Sequence, residues 1–189
     1  FRSQNLEEGV SAGLEGDLAQ PGEFKYVDVN GDGVISVDDR TIIGDPNPDF
    51  TASFNLSLNY KKFDASIFFN GVFGNDVLNT QSFNQPSNQP LRWTPDNPTN
   101  SFPSLRDGRQ VEFSDWWIED GSFVRIQNLN LGYSFEIDSL VSARVFVNGT
   151  NLYTFTKFDG YDPEVGGDGI YWGGYPRLRQ GTIGLTLTF

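Results

Sequence analysis

Between residues 51 and 60 every second side chain is apolar: Ala52, Phe54, Leu56, Leu58 and Tyr60 alternate with Ser53, Asn55, Ser57 and Asn59. A repeat of two is that of a β-strand, whose successive side chains point to opposite faces, so the segment predicts a strand with one apolar and one polar face. Residues 63–73 repeat the pattern, with Phe63, Ala65, Ile67, Phe69 and Phe73 opposite Asp64, Ser66 and Asn70, and with Phe68 and Val72 as exceptions. Residues 123–135 set Leu129, Leu131, Tyr133 and Phe135 against Asn128, Asn130, Gly132 and Ser134. Residues 143–153 alternate less cleanly, with Phe146 and Leu152 out of pattern. Residues 182–189 set Ile183, Leu185, Leu187 and Phe189 against Thr182, Gly184, Thr186 and Thr188. No convincing amphipathic helix competes with these strands. Leu6, Val10, Leu14 and Leu18 have a four-residue spacing, but Gly9, Gly13 and Gly16 weaken a helix there.

The connections alternate in length. Residues 61–62 and roughly 136–142 are short; residues 74–122 and 154–181 are long. Strands of about ten alternating residues, with tight turns at one end and long loops at the other, are the pattern of a transmembrane β-barrel. A soluble antiparallel sandwich also alternates, but loops of this length are unusual in a compact soluble domain. The polar faces are built of Asn, Ser, Thr and Gly, which suit a wet lumen. The expected fold class is therefore all-β: the C-terminal five strands and extracellular loops of a large transmembrane barrel. Five strands fall short of the roughly eight that close one. Open sheet edges in lipid cost several kcal/mol per unpaired group, so the remaining strands are expected upstream. Residues 1–50 are read as an extracellular loop and residues 51–189 as barrel strands with two long extracellular loops. The chain starts at Phe1 and contains no Met, which reads as a fragment.

Composition narrows the functions. Lys+Arg number 13 against 25 Asp+Glu, and the net charge of -12 argues against nucleic-acid binding, which needs a basic face. With no Cys and no His there is no disulfide framework, Cys/His zinc site, thiol nucleophile or Ser-His-Asp triad.

The sharpest local motif is residues 28–39, DVNGDGVISVDD. Oxygen-bearing side chains fall at positions 1, 3, 5, 9 and 12 of this loop, a glycine at position 6 and an apolar residue, Ile35, at position 8. That spacing matches a calcium loop of EF-hand type, with Asp39 in place of the usual bidentate Glu. Asp28, Asn30, Asp32, Asp39 and the Val34 carbonyl are the expected ligands of one structural Ca²⁺, with Ser36 direct or through water. An Asx-rich solvated turn is the plain alternative. Trp93, Trp116, Trp117 and Trp172 fall in the long loops or at strand mouths, near Tyr171 and Tyr175 in the last case. Trp116 and Trp117 read as girdle or loop packing. Trp93, Tyr171, Trp172 and Tyr175 are candidate contacts for a substrate or partner. Asp162, Glu164 and Asp168 read as a solvated acidic loop rather than a catalytic acid pair, since nothing in their Gly-rich surroundings fixes a separation.

Four stretches carry a family resemblance in order. Residues 28–50 run from the acidic loop into RTIIGDPNPDF; residues 92–100 read RWTPDNPTN; residues 117–125 read WIEDGSFVR; residues 151–164 read NLYTFTKFDGYDPE. Together they resemble the C-terminal region of the SusC/RagA family of TonB-dependent outer-membrane transporters, from Gly22 to Phe189. Phe189, in an alternating strand, resembles the assembly signal of outer-membrane barrels. The resemblance implies a barrel of about 22 strands with an N-terminal plug, located in the outer membrane of a Gram-negative bacterium and surrounded by its lipid. It implies import of glycans or peptides under a SusD-like lipoprotein lid, driven by the TonB complex through an N-terminal part absent here. It implies no enzyme activity. The alternative is a secreted calcium-binding or adhesion module, since residues 28–39 also resemble a dockerin repeat; only one such loop is found, and strands follow it. A glycan hydrolase would need a fixed acid pair, which the sequence does not offer.

Overall fold

The structure is a computed structural model that describes residues 3–4, 22, 24–82, 90–104, 114–138 and 141–189. The weak helical spacing at Leu6, Val10, Leu14 and Leu18 lies outside the described residues. Among these described residues ten strands follow one another: β1 (Ser3–Gln4), β2 (Lys25–Tyr26), β3 (Phe50–Tyr60), β4 (Phe63–Phe73), β5 (Asp76–Asn79), β6 (Ile118–Asp120), β7 (Phe123–Asp138), β8 (Val141–Thr156), β9 (Ile170–Tyr171) and β10 (Gln180–Thr188). They fall into two compact units, one of Asn47–Asn75, Asp120–Glu164 and Gly174–Phe189, the other of Phe1–Pro46, Asp76–Glu119 and Val165–Gly173.

The first unit is a five-stranded antiparallel sheet in the order β10-β8-β7-β4-β3. Each long strand pairs with the long strand before it, an up-and-down meander. Register puts the apolar residues in rows, because residues directly opposite in a ladder share a face. Leu58, Ala65, Leu131, Val147 and Ile183 form one row, and Tyr60, Phe63, Tyr133, Val145 and Leu185 the next. Rings reinforce the pairing: Phe50 stacks on Phe73 and Phe63 meets Tyr133, both at 4.7 Å between centroids. The opposite face carries Ser57, Ser66, Asn130, Asn148 and Thr182 in one row. There Ser53 Oγ donates to Asn70 Oδ1 at 3.1 Å, and Asn148 Nδ2 donates to Asn130 Oδ1 at 3.0 Å. On the apolar face Phe54, Leu58, Leu131, Val147, Ile183 and Leu185 are all exposed.

The residues that break the alternation now have causes. Phe68 and Val72 stand on the polar face, opposite Asn128 and Phe123. Phe146 also stays there, its ring lying over Gly184, where any Cβ would collide with it. Leu152 follows a bulge. Asn151 is left-handed (φ 52), and the register jumps from Asn128↔Thr150 to Ile126↔Tyr153. Asn151 and Leu152 together stand opposite the single residue Gln127, and Leu152 lies over Gly149. On the polar face Gly132 leaves the space through which Arg144 reaches Asp64, with Nε 2.8 Å from Oδ1.

Two expectations are corrected. β7 and β8 extend to 16 residues each, so their connection shrinks from roughly 136–142 to residues 139–140; Glu136 still pairs with Ser142 and Asp138 with Val141. The long connections are also not plain loops. In the second unit β6, β5 and β9 form a three-stranded sheet, in which β5 and β9 run parallel. Its buried residues include Phe24, Ile35, Val77, Trp117 and Tyr171. Strands this short carry no readable period.

Candidate functional site

The 28–39 loop is wound by its own carboxylates. Gly31 (φ 79) and Gly33 (φ 84) take left-handed conformations that glycine adopts without steric cost. Their N–H groups donate to Asp28 Oδ1 at 2.6 Å and Oδ2 at 2.7 Å. Asp32 Oδ1 accepts from Val34 N at 2.8 Å, and its Oδ2 accepts from Asn30 Nδ2 at 3.1 Å. Asn30 Oδ1 accepts from Asp32 N at 2.8 Å. Asp39 is 0% exposed. It accepts from Val29 N at 2.8 Å and Ser36 N at 2.7 Å, while Ser36 Oγ accepts from Asp38 N, a capping box on the Val37–Asp39 turn. The Ser36 N–H bond, with those of Val29 and Asn30, holds the Asp39 carboxyl below the usual carboxylate range against the opposing effect of burial.

These donors have the chemistry a hard cation requires, all oxygen and several anionic. Their arrangement meets it in part. Among the described residues no three acidic side chains are gathered into a metal-sized cluster, because Asp28 and Asp39 face backbone N–H groups. A carboxylate has about four lone-pair positions, so those bonds leave acceptor capacity on Asp28 and Asp32.

A second constellation escaped the sequence reading. Arg125 projects from β7 with its side chain only 4% exposed. Its Nη2 meets Asp162 Oδ1 at 2.7 Å, Nη1 meets Glu164 Oε2 at 2.6 Å, and Nε donates to Thr154 Oγ1 at 2.9 Å. The guanidinium lies over the Phe123 ring, 4.9 Å from its centroid. Arg177 meets the same two acids, Asp162 Oδ2 at 2.7 Å and Glu164 Oε2 at 2.9 Å. Asp162 and Glu164 are therefore not the solvated loop expected: both carboxylates are shared between two guanidinium groups and tie the segment after β8 to β7. Asp168 alone of the three is free of them, and its Oδ1 accepts from Ile170 N at 3.2 Å.

The candidate aromatic contacts separate. Tyr171 is only 7% exposed, in β9, and its carbonyl accepts from Thr80 Oγ1 at 2.8 Å; it is a packing residue, not a contact surface. Trp93 is half-buried, its indole against Gly22, where a Cβ would lie 2.5 Å from Cε3. Trp116 and Trp117 pack as expected. Trp116 meets Phe24 and Phe102 at 5.4 Å each and Trp117 edge-on at 5.2 Å. Trp172, 67% exposed, and Tyr175, 98% exposed, remain available.

No family profile matches the chain. Individual proteins do. It is 35% identical to TonB-dependent receptor P3 of Formosa agariphila, over 100% of this chain and 21% of that receptor. It is 30% identical to TonB-dependent receptor SusC of Bacteroides thetaiotaomicron, over 90% of this chain and 18% of that protein. Among solved structures it is similar to the RagAB peptide importer in its closed-closed state, with a TM-score of 0.72 and 25% identity over 100% of this chain and 22% of that one. The chain spans about a fifth of the length of these relatives.

Proposed function

The likeness to TonB-dependent receptors of the SusC/RagA kind runs through the whole chain, and from it we propose that this segment forms part of the wall and outer rim of an outer-membrane importer. Such an importer takes up glycans or peptides in a TonB-dependent manner, with a SusD-like lipoprotein resting on its extracellular rim. The observation that carries the reading is the two-faced sheet. The described side chains of its apolar rows are exposed, whereas a soluble sheet buries that face against another layer. In the proposed setting lipid is the cover. The Asn/Ser/Thr face lines an aqueous lumen, the tight turns face the periplasm and the long connections face outward.

Trp172 and Tyr175 are the side chains we assign to contact with lid or substrate, since rigid exposed aromatics supply large contact area at low entropic cost. Deleting residues 166–174 would also remove β9 from its pairing with β5, so point substitutions are the sharper test. Trp172→Ala and Tyr175→Ala should weaken lid co-purification or substrate uptake while the barrel inserts normally. Unchanged lid binding and uptake would remove both residues from the function.

We also propose one structural Ca²⁺ in the 28–39 loop, held by Asp28, Asn30, Asp32, the Val34 carbonyl and Asp39. The ligand spacing supports it, and extracellular calcium would fill a site of order 10⁻⁴–10⁻³ M. Crystals grown with calcium should show an anomalous peak inside the loop; none there would leave Asp28–Gly31 and Asp28–Gly33 as simple turn bonds.

A further inference from the structure

Where Gly149 on β8 pairs with Gly181 on β10, the apolar face loses two adjacent side chains. Leu129 flanks the gap on β7. Leu131 and Val147 form the wall toward the tight turns, and the bulge at Asn151 brings Leu152 over the other side. The result is an apolar groove of about 360 Å³, within the roughly 300–1,000 Å³ of small-molecule sites. Arg179, just before β10, and Gln180, its first residue, line the end at the long connection. Arg179 is exposed and forms no ion pair with any described carboxylate.

We propose that this groove holds one acyl chain of a membrane lipid whose anionic phosphate headgroup sits at Arg179. The inference rests on the reading that the apolar face meets lipid. A dent in such a face forfeits dispersion contacts along its lining unless a chain enters it. A guanidinium beside hydrocarbon is costly unless it lies at the headgroup level, so Arg179 marks where the hydrocarbon band ends. An apolar slot beginning directly below an unpaired cation has the shape and charge of an anionic lipid entered from its head. Backbone groups floor the groove without penalty, because Gly149 and Gly181 remain in the hydrogen-bonded ladder.

Gly181→Leu fills the groove without strain, since nothing lies within 4 Å of a Cβ built there. Gly149→Leu would instead strike Leu152, 2.8 Å from such a Cβ. The intact transporter, delipidated and then titrated in detergent with phosphatidylglycerol or phosphatidylcholine, is read by native mass spectrometry. Unsubstituted protein should retain phosphatidylglycerol over phosphatidylcholine. Arg179→Gln should weaken that retention roughly tenfold, the loss expected for a charge-assisted bond. Gly181→Leu should abolish it while substrate uptake is preserved. Equal retention by Gly181→Leu and unsubstituted protein, or no preference between the two headgroups, overturns the proposal. A nitroxide at Leu185 in the same preparation separates the two claims: lipid contact there with unchanged retention sinks only the groove, and water contact sinks the membrane reading.

Discussion

The two compact units handle apolar residues in opposite ways. In the five-stranded sheet the large apolar side chains of β3, β7 and β10 stand exposed while Asn, Ser and Thr pair with one another on the other face. In the unit that holds β5, β6 and β9, Phe24, Trp117 and Val77 are buried and Trp116 is enclosed by rings. One chain thus contains a segment with an exposed apolar face, as the proposed lipid setting requires, and another whose apolar residues are buried against one another. The difference lies in composition as well as arrangement. The sheet draws on strict alternation, which needs only a solvent on each side. The other unit draws on aromatic clusters, which need each other.

That contrast predicts unequal costs for the same kind of truncation. Trp117→Ala should cost about 3–5 kcal/mol, as for other buried large-to-small changes, and should disorder the β5–β6–β9 sheet by hydrogen exchange. Leu185→Ala should cost far less in a bilayer, because lipid tails replace the lost side chain as readily as they met it. Comparable losses at the two positions would erase the distinction. Charge gives the next largest effect. Leu131→Arg, near the middle of β7, should reduce barrel stability by about 2–4 kcal/mol, whereas Asn130→Arg, one residue earlier on the polar face, should be nearly neutral. Refolding into vesicles at graded denaturant measures both.

A smaller effect is expected of acid on the 28–39 loop. The Asp39 carboxyl is held below its ordinary range by the N–H groups of Ser36, Val29 and Asn30. Its contribution is complete above the ordinary carboxylate range and is lost as pH falls through the lowered value. The protection of the Val29 and Ser36 amides, taken relative to their intrinsic exchange rates at each pH, should therefore fall on acidification, and Asp39→Asn should show the reduced protection already at neutral pH. A variant rate indistinguishable from the parent's would show that the N–H bonds to Asp39 do not hold the loop.

The sheet was legible from its residues because period two is a local property. Bounds for β3 and β4 follow within a residue from the alternation at Thr51–Tyr60 and Phe63–Phe73. The misfits were also informative. Phe146 breaks the pattern where Gly184, far along the chain, leaves room for its ring, and Leu152 breaks it directly after Asn151, whose left-handed conformation the alternation does not announce. The loop sites were less legible. Arg125 lies 37 and 39 positions from the acids it binds, so Asp162 and Glu164 looked like solvated charges in a Gly-rich run. The only local hint was the Arg125 of the family-like stretch at residues 117–125, an odd cation in an otherwise apolar strand start. Tyr171 was misjudged for a related reason: it is buried in a strand that pairs with β5, about 90 residues earlier in the chain. The resemblance to SusC/RagA transporters supplied what periodicity could not, a setting in which an uncovered apolar face is stable.

The central claim is that one face of the sheet meets lipid and the other water. Nitroxide labels placed singly at Leu131, Leu185 and Leu187, and at Asn130, Thr186 and Thr188, in the intact protein reconstituted in vesicles, read it residue by residue. The account predicts oxygen accessibility at the three leucines and accessibility to a water-soluble nickel chelate at the other three, reversing with each step along β10. Water contact at the leucines, or no alternation along Leu185–Thr188, would contradict it.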